Sequence, residues 1–452
     1  MIESFGVADS PKDISYYASM LLMSFAISQC LTVMYWGRLS DRIGRRPVLA
    51  IGLVGTLVVS LLFGVCKTFT AALLVRVAAG VLAGNSAVMQ SAMAEIADDT
   101  NRSRIMTLLP FTWNVGSMFG SVIGSVFSNP ATHFPGWFGN SKLFVYFPYL
   151  LPCLIGSAVS AFGLVAGLLT FKETLTRPTQ SVQTESAASA EEVLLLAQTA
   201  AAPVRQNSMK RLLTPLVVRF MATNIMMYLS FTICDILYQL FAITDPRNGG
   251  LGLGPLSLGL LFAAEGIVAI YIQLVAYPRL ERKYGVLYCY RRGLSLAIPY
   301  LVAMPFLSLI AAHLQSQVGV SPSSILIEKI VMWVLLMSIM TMRATSSVLA
   351  FTSINLMVAN MAPTRADLGF MNGMLQLVIS AVRIFATLVS GSLWSRSIKH
   401  SLRFSLNSHL VWILGALFLA ILLKLSYRIP DSVNKFAADQ PKPIEDSEDL
   451  DS

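Results

Sequence analysis

Four charged side chains lie deep inside long apolar stretches of the second half of this chain: Asp235, Glu265, Arg343 and Arg383. Charge in such surroundings is costly unless it is paired or used, so two acids and two bases there have two readings. They can neutralise one another as structural ion pairs, or a carboxyl among them can take up and release a proton. Glu265 is the stronger proton candidate, because its apolar run has no other interior charge. Arg76 is the one charge in the middle of a first-half run, and a buried guanidinium needs an anion or carbonyl partner. No first-half run offers it a carboxylate at that depth. Trp113, Asn114 and Gln376, with Thr112, Asn224, Tyr228 and Tyr238, add polar and aromatic groups on faces able to line a cavity.

The elements that must position these residues are membrane-spanning helices. Of 452 residues, 55% are hydrophobic and 13% are charged, against roughly 25% charged in soluble proteins. The apolar runs have the length of transmembrane helices and lack the alternation of barrel strands. The net charge of +9 does not mark a nucleic-acid binder, because the bases cluster in short loops between apolar runs. The five cysteines are scattered through those runs with neither metal-ligand nor disulfide spacing. No phosphate-binding glycine loop occurs, so a nucleotide-driven machine has no support, and no cofactor or metal is expected.

Candidate helices fall near 14–36, 48–66, 70–94, 105–128 and 143–171, then near 214–244, 253–278, 287–312, 325–361, 369–394 and 408–427. Residues 174–211, rich in Ser, Thr, Gln, Ala and Glu, read as a solvated linker. The expected division is therefore a helical bundle over 1–173, a linker over 174–211, a second bundle over 212–429 and a disordered acidic tail over 430–452. Between the first two runs lies a basic hinge of Gly37, Arg38, Asp41, Arg42, Gly44, Arg45 and Arg46. Residues 277–285 repeat it in degenerate form, but after two spans of the second half where the first hinge follows only one. Such weak internal symmetry is the trace of a duplicated architecture, and aligning the halves leaves a helix vacant before Met1. The hinges, Arg102 and Arg104, and Lys210 and Arg211 all fall on one side, which the positive-inside rule makes cytoplasmic. Arg396, Lys399 and Arg403 are the exception.

The hinge resembles motif A of the major facilitator superfamily, with Gly37, Leu39, Asp41, Arg42, Gly44, Arg45, Arg46 and Leu49 at matching positions. Arg76, Gly80 and Gly84 resemble its motif B, and Phe171 to Leu175 its common "ETL" ending. Ala362 to Arg365, Leu368, Gly369, Asn372, Gly373, Gln376 and Arg383 look like the fungal and plant branch related to zinc-induced-facilitator-like and drug:proton antiporters. The resemblance runs from Ile14 to Tyr427. It departs from the antiporter pattern at Gly116, Gly120 and Gly124, which keep the glycine spacing for close helix packing but lack the usual proline.

The resemblance implies an all-α, two-bundle membrane protein of about eleven transmembrane helices, five and six, with the family's first helix missing. It implies a monomeric secondary transporter, not an enzyme, for proton-coupled efflux of a small organic solute by alternating access in the plasma or vacuolar membrane. A uniporter, or a non-transporting or truncated membrane protein, is the alternative. Motif A would act as a latch. In it Asp41 accepts hydrogen bonds from the N-terminus of the helix near Leu368, while Arg45 and Arg46 pair with Glu95, Asp98 or Asp99.

Overall fold

The computed structural model describes residues 2–7, 11–96, 102–173, 215–246, 249–316, 322–361, 365–399 and 406–434. Among them the chain is helical and no strand occurs, as lipid demands of a backbone that must satisfy its own hydrogen bonds. The first half comprises α1 (Pro11–Ile43), α2 (Arg45–Gly64), α3 (Phe69–Leu82), α4 (Asn85–Ile96), α5 (Arg102–Val126) and, after short turns, α6 (Leu150–Thr170). The second comprises α7 (Pro215–Ile243), α8 (Pro255–Tyr271), α9 (Val286–Ser316), α10 (Pro322–Asn360), α11 (Arg365–Lys399) and α12 (Leu406–Ser426). Helical backbone continues α8 through Ile272–Ala276 to Tyr284. Eight helices are long and apolar enough to cross a bilayer, with shorter apolar helices at Phe69–Leu82 and Val411–Ser426. With α3 and α4 counted as one broken rod, five long helical units of the described chain precede residue 174 and six follow residue 214. The linker lies outside the described residues.

The two basic hinges are single-glycine corners. The helices on either side run into the expected loop, so that α1 reaches Ile43 and α2 starts at Arg45. Gly44 at φ 106° and Gly285 at φ 84° reverse the chain in a region of backbone space that other residues avoid. One residue of this kind is enough, which is why the basic side chains sit on helix ends.

The candidate helix over 70–94 is broken at Ala83 and Gly84. The indole of Trp36 lies against Gly84, leaving no room for a Cβ there. Carbonyls near the break are met from α1: Trp36 Nε1 donates to Val81 O at 2.6 Å and Gln29 Nε2 to Ala83 O at 3.4 Å. The kink is tolerated because a neighbouring helix takes up the exposed backbone. A few residues earlier Gly80 meets the α1 backbone at Phe25 and Gln29.

Packing is uneven between halves. A large apolar cluster joins α7, α9, α10, α11 and α12, centred on residues such as Phe241, Tyr300, Trp394 and Trp412, all 0–2% exposed. The first half has a small one around Trp36, Val48, Leu49 and Val88. Leu31, Phe162 and Leu169, each more than 70% exposed, present the surface a lipid tail covers.

The bundles meet along α1 with α11 and α5 with α8, supplemented by α4 with α11 and α10 with α5. Here one expectation is overturned. Gly116, Gly120 and Gly124 face open space, where an added Cβ would meet nothing within 4 Å. The close approach of α5 is made by its other face: Ser121 and Ser125 enter the notch at Gly259, and Met118 the notch at Gly266. Seven residues separate those two α8 glycines, two helical turns, so both fall on one seam.

The tail also departs from expectation at its start. Asp431–Asn434 form a short 3-10 turn, with Val433 2% exposed, and Asn360 Nδ2 donates to Val433 O at 3.2 Å. Residues 435–452 lie outside the described set.

Candidate functional site

Three of the four second-half charges come together. Arg343 of α10 forks between two helices, donating from Nη1 to Asp235 of α7 and from Nη2 to Glu265 of α8 at 2.5 Å. Beneath it the Tyr238 ring lies 5.0 Å from the guanidinium carbon, the arrangement in which a cation is drawn to an aromatic face. Tyr238 is three residues beyond Asp235 and so shares its helix face. The guanidinium suits this position because its planar fork serves two carboxylates at once and stays charged.

Two features of the cluster carry chemistry. Its formal charge is −1, from two carboxylates and one guanidinium. One proton taken up by either acid leaves a neutral set, so the fork has room for one exchangeable charge. Access to it is asymmetric: the Asp235 side chain is 47% exposed, Glu265 10% and Arg343 12%. Of the two acids Asp235 is the more exposed and Glu265 the more enclosed. The Nε of Arg343 and the hydroxyl of Tyr238 are buried without a partner, leaving donors free to meet a water or another guest.

Arg383 stands apart. Its guanidinium has no carboxylate partner among the described residues and faces the Trp113 ring of α5, 5.7 Å from the centroid, across the division between bundles. Trp113 is 68% exposed, and Asn114 beside it is half-buried. Gln376, seven residues before Arg383, shares its face and is half-buried. On α7, Asn224 is fully buried with neither amide atom bonded, and Tyr228 lies a turn further on. Arg76 is elsewhere again: its guanidinium carbon is 4.5 Å from the Phe63 ring of α2, its Nε is unpaired, and it neighbours Cys153 of α6. The structure does not bring it to the fork.

On the basic face, Arg45 donates to Asp41 at 2.7 Å and to the hydroxyl of Ser40. Arg46 Nη2 donates to Leu168 O. Gly37 faces open space, and Arg42 is exposed. The expected partners Asp98 and Asp99 lie outside the described residues, as do the side chains of Glu95 and of the α11 start.

The residue that sequence reasoning passed over is Glu173. Its carboxylate accepts from the backbone amides of Arg45 at 2.8 Å and Arg46 at 3.1 Å, and it lies over Gly44. An acid at a helix N-terminus meets both the orphan N–H groups and the positive end of the helix dipole. The second half repeats the device: Asn434 Oδ1 accepts from Leu287 N at 2.9 Å and lies over Gly285. Each bundle thus ties its closing segment to the corner after its basic hinge. The signal for Glu173 was its place in the "ETL" ending. Glu173→Ala is expected to lower the melting temperature of the detergent-purified protein by about 2 °C. Asn434→Ala is expected to do the same, and the two shifts should add, the sites being in different bundles. Unchanged melting in both single variants would remove the capping role.

Comparison with known proteins fits this geometry. A family model described as Major Facilitator Superfamily matches residues 2–387. Major facilitator-type transporter psiT2 of Psilocybe cubensis is 27% identical over 446 residues, covering 93% of this chain and 83% of that protein. Protein ZINC INDUCED FACILITATOR 1 of Arabidopsis thaliana is 26% identical, covering 95% and 86%. Among solved structures, the fold matches a D-xylose-proton symporter with a TM-score of 0.62 at 14% identity, covering 96% of this chain and 93% of that one.

Proposed function

Given that this chain belongs to the Major Facilitator Superfamily, we propose that it exports a small organic solute in exchange for protons, by alternating access between its two bundles. The observation that carries the reading is the Asp235–Arg343–Glu265 fork, with one negative charge left over inside the membrane. A proton enters at Asp235, the more exposed acid, and is held at Glu265, the more enclosed one. Gain and loss of that proton change the charge of the cluster between zero and −1, and so the cost of exposing it to either side. The bundles are suited to rocking: their α5–α8 seam is built from glycine notches that receive the uncharged side chains of Ser125 and Met118, which slide without breaking ion pairs.

The basic face is cytoplasmic by the positive-inside rule, and the Asp41–Arg45 pair with the Glu173 cap stiffens the corner there. The solute is a small organic molecule, the protein acts as a monomer, and its membrane is the plasma or vacuolar membrane. The outward direction follows the resemblance to drug:proton antiporters. In reconstituted vesicles, solute flux should accelerate when the side the solute moves toward is the more acidic. Equal flux with and without the gradient would remove proton coupling from the account.

A further inference from the structure

Arg383 is the unexplained charge. It sits on α11 with no described carboxylate beside it, while Asp235 and Glu265, acids deep in its bundle's apolar runs, are both engaged by Arg343. The Trp113 ring, 5.7 Å away, satisfies a guanidinium only in part, since an aromatic face attracts a cation without supplying an acceptor for its N–H groups. A second polar group, on α7, is also unmet. Asn224 is fully buried with both its amide oxygen and its amide nitrogen unbonded. Tyr228, one turn along the same α7 face, lies close enough to feel the Arg383 charge. From the helix rise, Asn224 lies eleven residues, about 16 Å, from Asp235 along α7, so this group is separate from the proton fork.

We propose that this junction receives the carboxylate of the transported solute, and that the solute is an organic anion with a planar apolar body. The carboxylate supplies Arg383 with the bidentate acceptor its geometry fits. The planar body lies on the open side of Trp113, a residue that is 68% exposed. Gln376, half-buried on the Arg383 face of α11, offers a neutral donor that a carboxylate accepts from. Because Arg383 belongs to one bundle and Trp113 to the other, an anion between them touches both, which is where a solute must sit if its binding is to govern their rocking. This assignment rests on the transport reading for the words "transported solute" and on nothing else in it.

The test uses the purified full chain in nanodiscs, with 2-naphthoate and its neutral counterpart 2-naphthamide as probes, read by calorimetry without any pH gradient. The naphthoate should bind at least about tenfold more tightly than the amide, the worth of a charge-assisted hydrogen-bonded pair. Arg383→Gln should abolish that preference, Arg383→Lys should keep part of it, and Trp113→Leu should weaken both probes alike. Retained melting temperature in Arg383→Lys separates loss of binding from loss of fold. Equal binding of the two probes by the native chain, or an unchanged preference in Arg383→Gln, overturns the anion site. Nanodiscs with and without phosphatidylserine distinguish a lipid headgroup from a free solute. If naphthoate binds only where anionic lipid is absent and is not carried in vesicles, the site belongs to lipid and the proposal fails. Arg383-dependent preference without any solute flux keeps the anion site and removes transport, whereas flux without preference does the reverse.

Discussion

Replacing Arg343 by methionine is expected to stop transport and to destabilise the protein more than any other single change at the site. The variant leaves Asp235 and Glu265 facing one another with no counter-charge. Removing one partner of a buried ion pair costs about 3–5 kcal/mol, because an uncompensated charge is left behind. Methionine matches the arginine stem in length and gives up the guanidinium with its contact to the Tyr238 ring, so the change removes the charge with little loss of apolar bulk. The companion is the triple variant Arg343→Met, Asp235→Asn, Glu265→Gln, in which nothing charged remains. Replacing a whole buried ion cluster by neutral groups is often close to neutral for stability. The triple variant should therefore recover most of the lost melting temperature and still fail to respond to a pH gradient. Native flux in Arg343→Met, or a triple variant as unstable as the single one, would contradict this account of the fork.

Glu265→Gln is expected to separate solute movement from proton movement. The amide keeps an acceptor for Arg343 Nη2 and nearly the same volume, while Asp235 still balances the guanidinium, so the protein should fold. What it loses is the spare negative charge. The cluster becomes Asp235 and Arg343 alone, formally neutral, and has no room for a proton. Solute exchange between equal concentrations on both sides should persist within about tenfold of the native rate, since it needs the carrier to rock but needs no net proton transfer. Flux driven by a pH gradient should disappear. Asp235→Asn should instead slow proton entry, because the more exposed acid and not the more enclosed one is removed. A Glu265→Gln protein that still concentrates solute against its gradient would place the proton elsewhere.

Much of this was legible in the sequence, for identifiable reasons. Long uncharged runs can only be helices in lipid, so the all-α, two-bundle architecture followed from hydropathy, and its family followed from the hinge around Asp41. That Asp235, Glu265 and Arg343 matter was visible because charge inside such runs is rare. That Arg343 takes both acids and leaves Arg383 to Trp113 was not, because pairing depends on how helices 78 and 108 residues apart are rotated. Glu173 was hidden for the same reason, its partners lying 127 and 128 residues away. The glycine reading of α5 failed instructively. Gly116, Gly120 and Gly124 have the spacing of a packing face, but the face that packs carries serines, and the notches lie in α8 at Gly259 and Gly266. Spacing identifies a smooth face without saying that a neighbour uses it. The break at Ala83 was likewise beyond the sequence, since it depends on Trp36 reaching across from α1.

The most direct test of the central claim, that the fork carries the coupled proton, is to add solute to vesicles held at equal pH on both sides and to follow internal pH with a trapped dye. The native protein should move protons opposite to the solute, and the Glu265→Gln protein should move solute down its gradient with the dye silent. A dye response of equal size in both proteins would contradict the account, because the proton would then travel by a route that does not pass through Glu265.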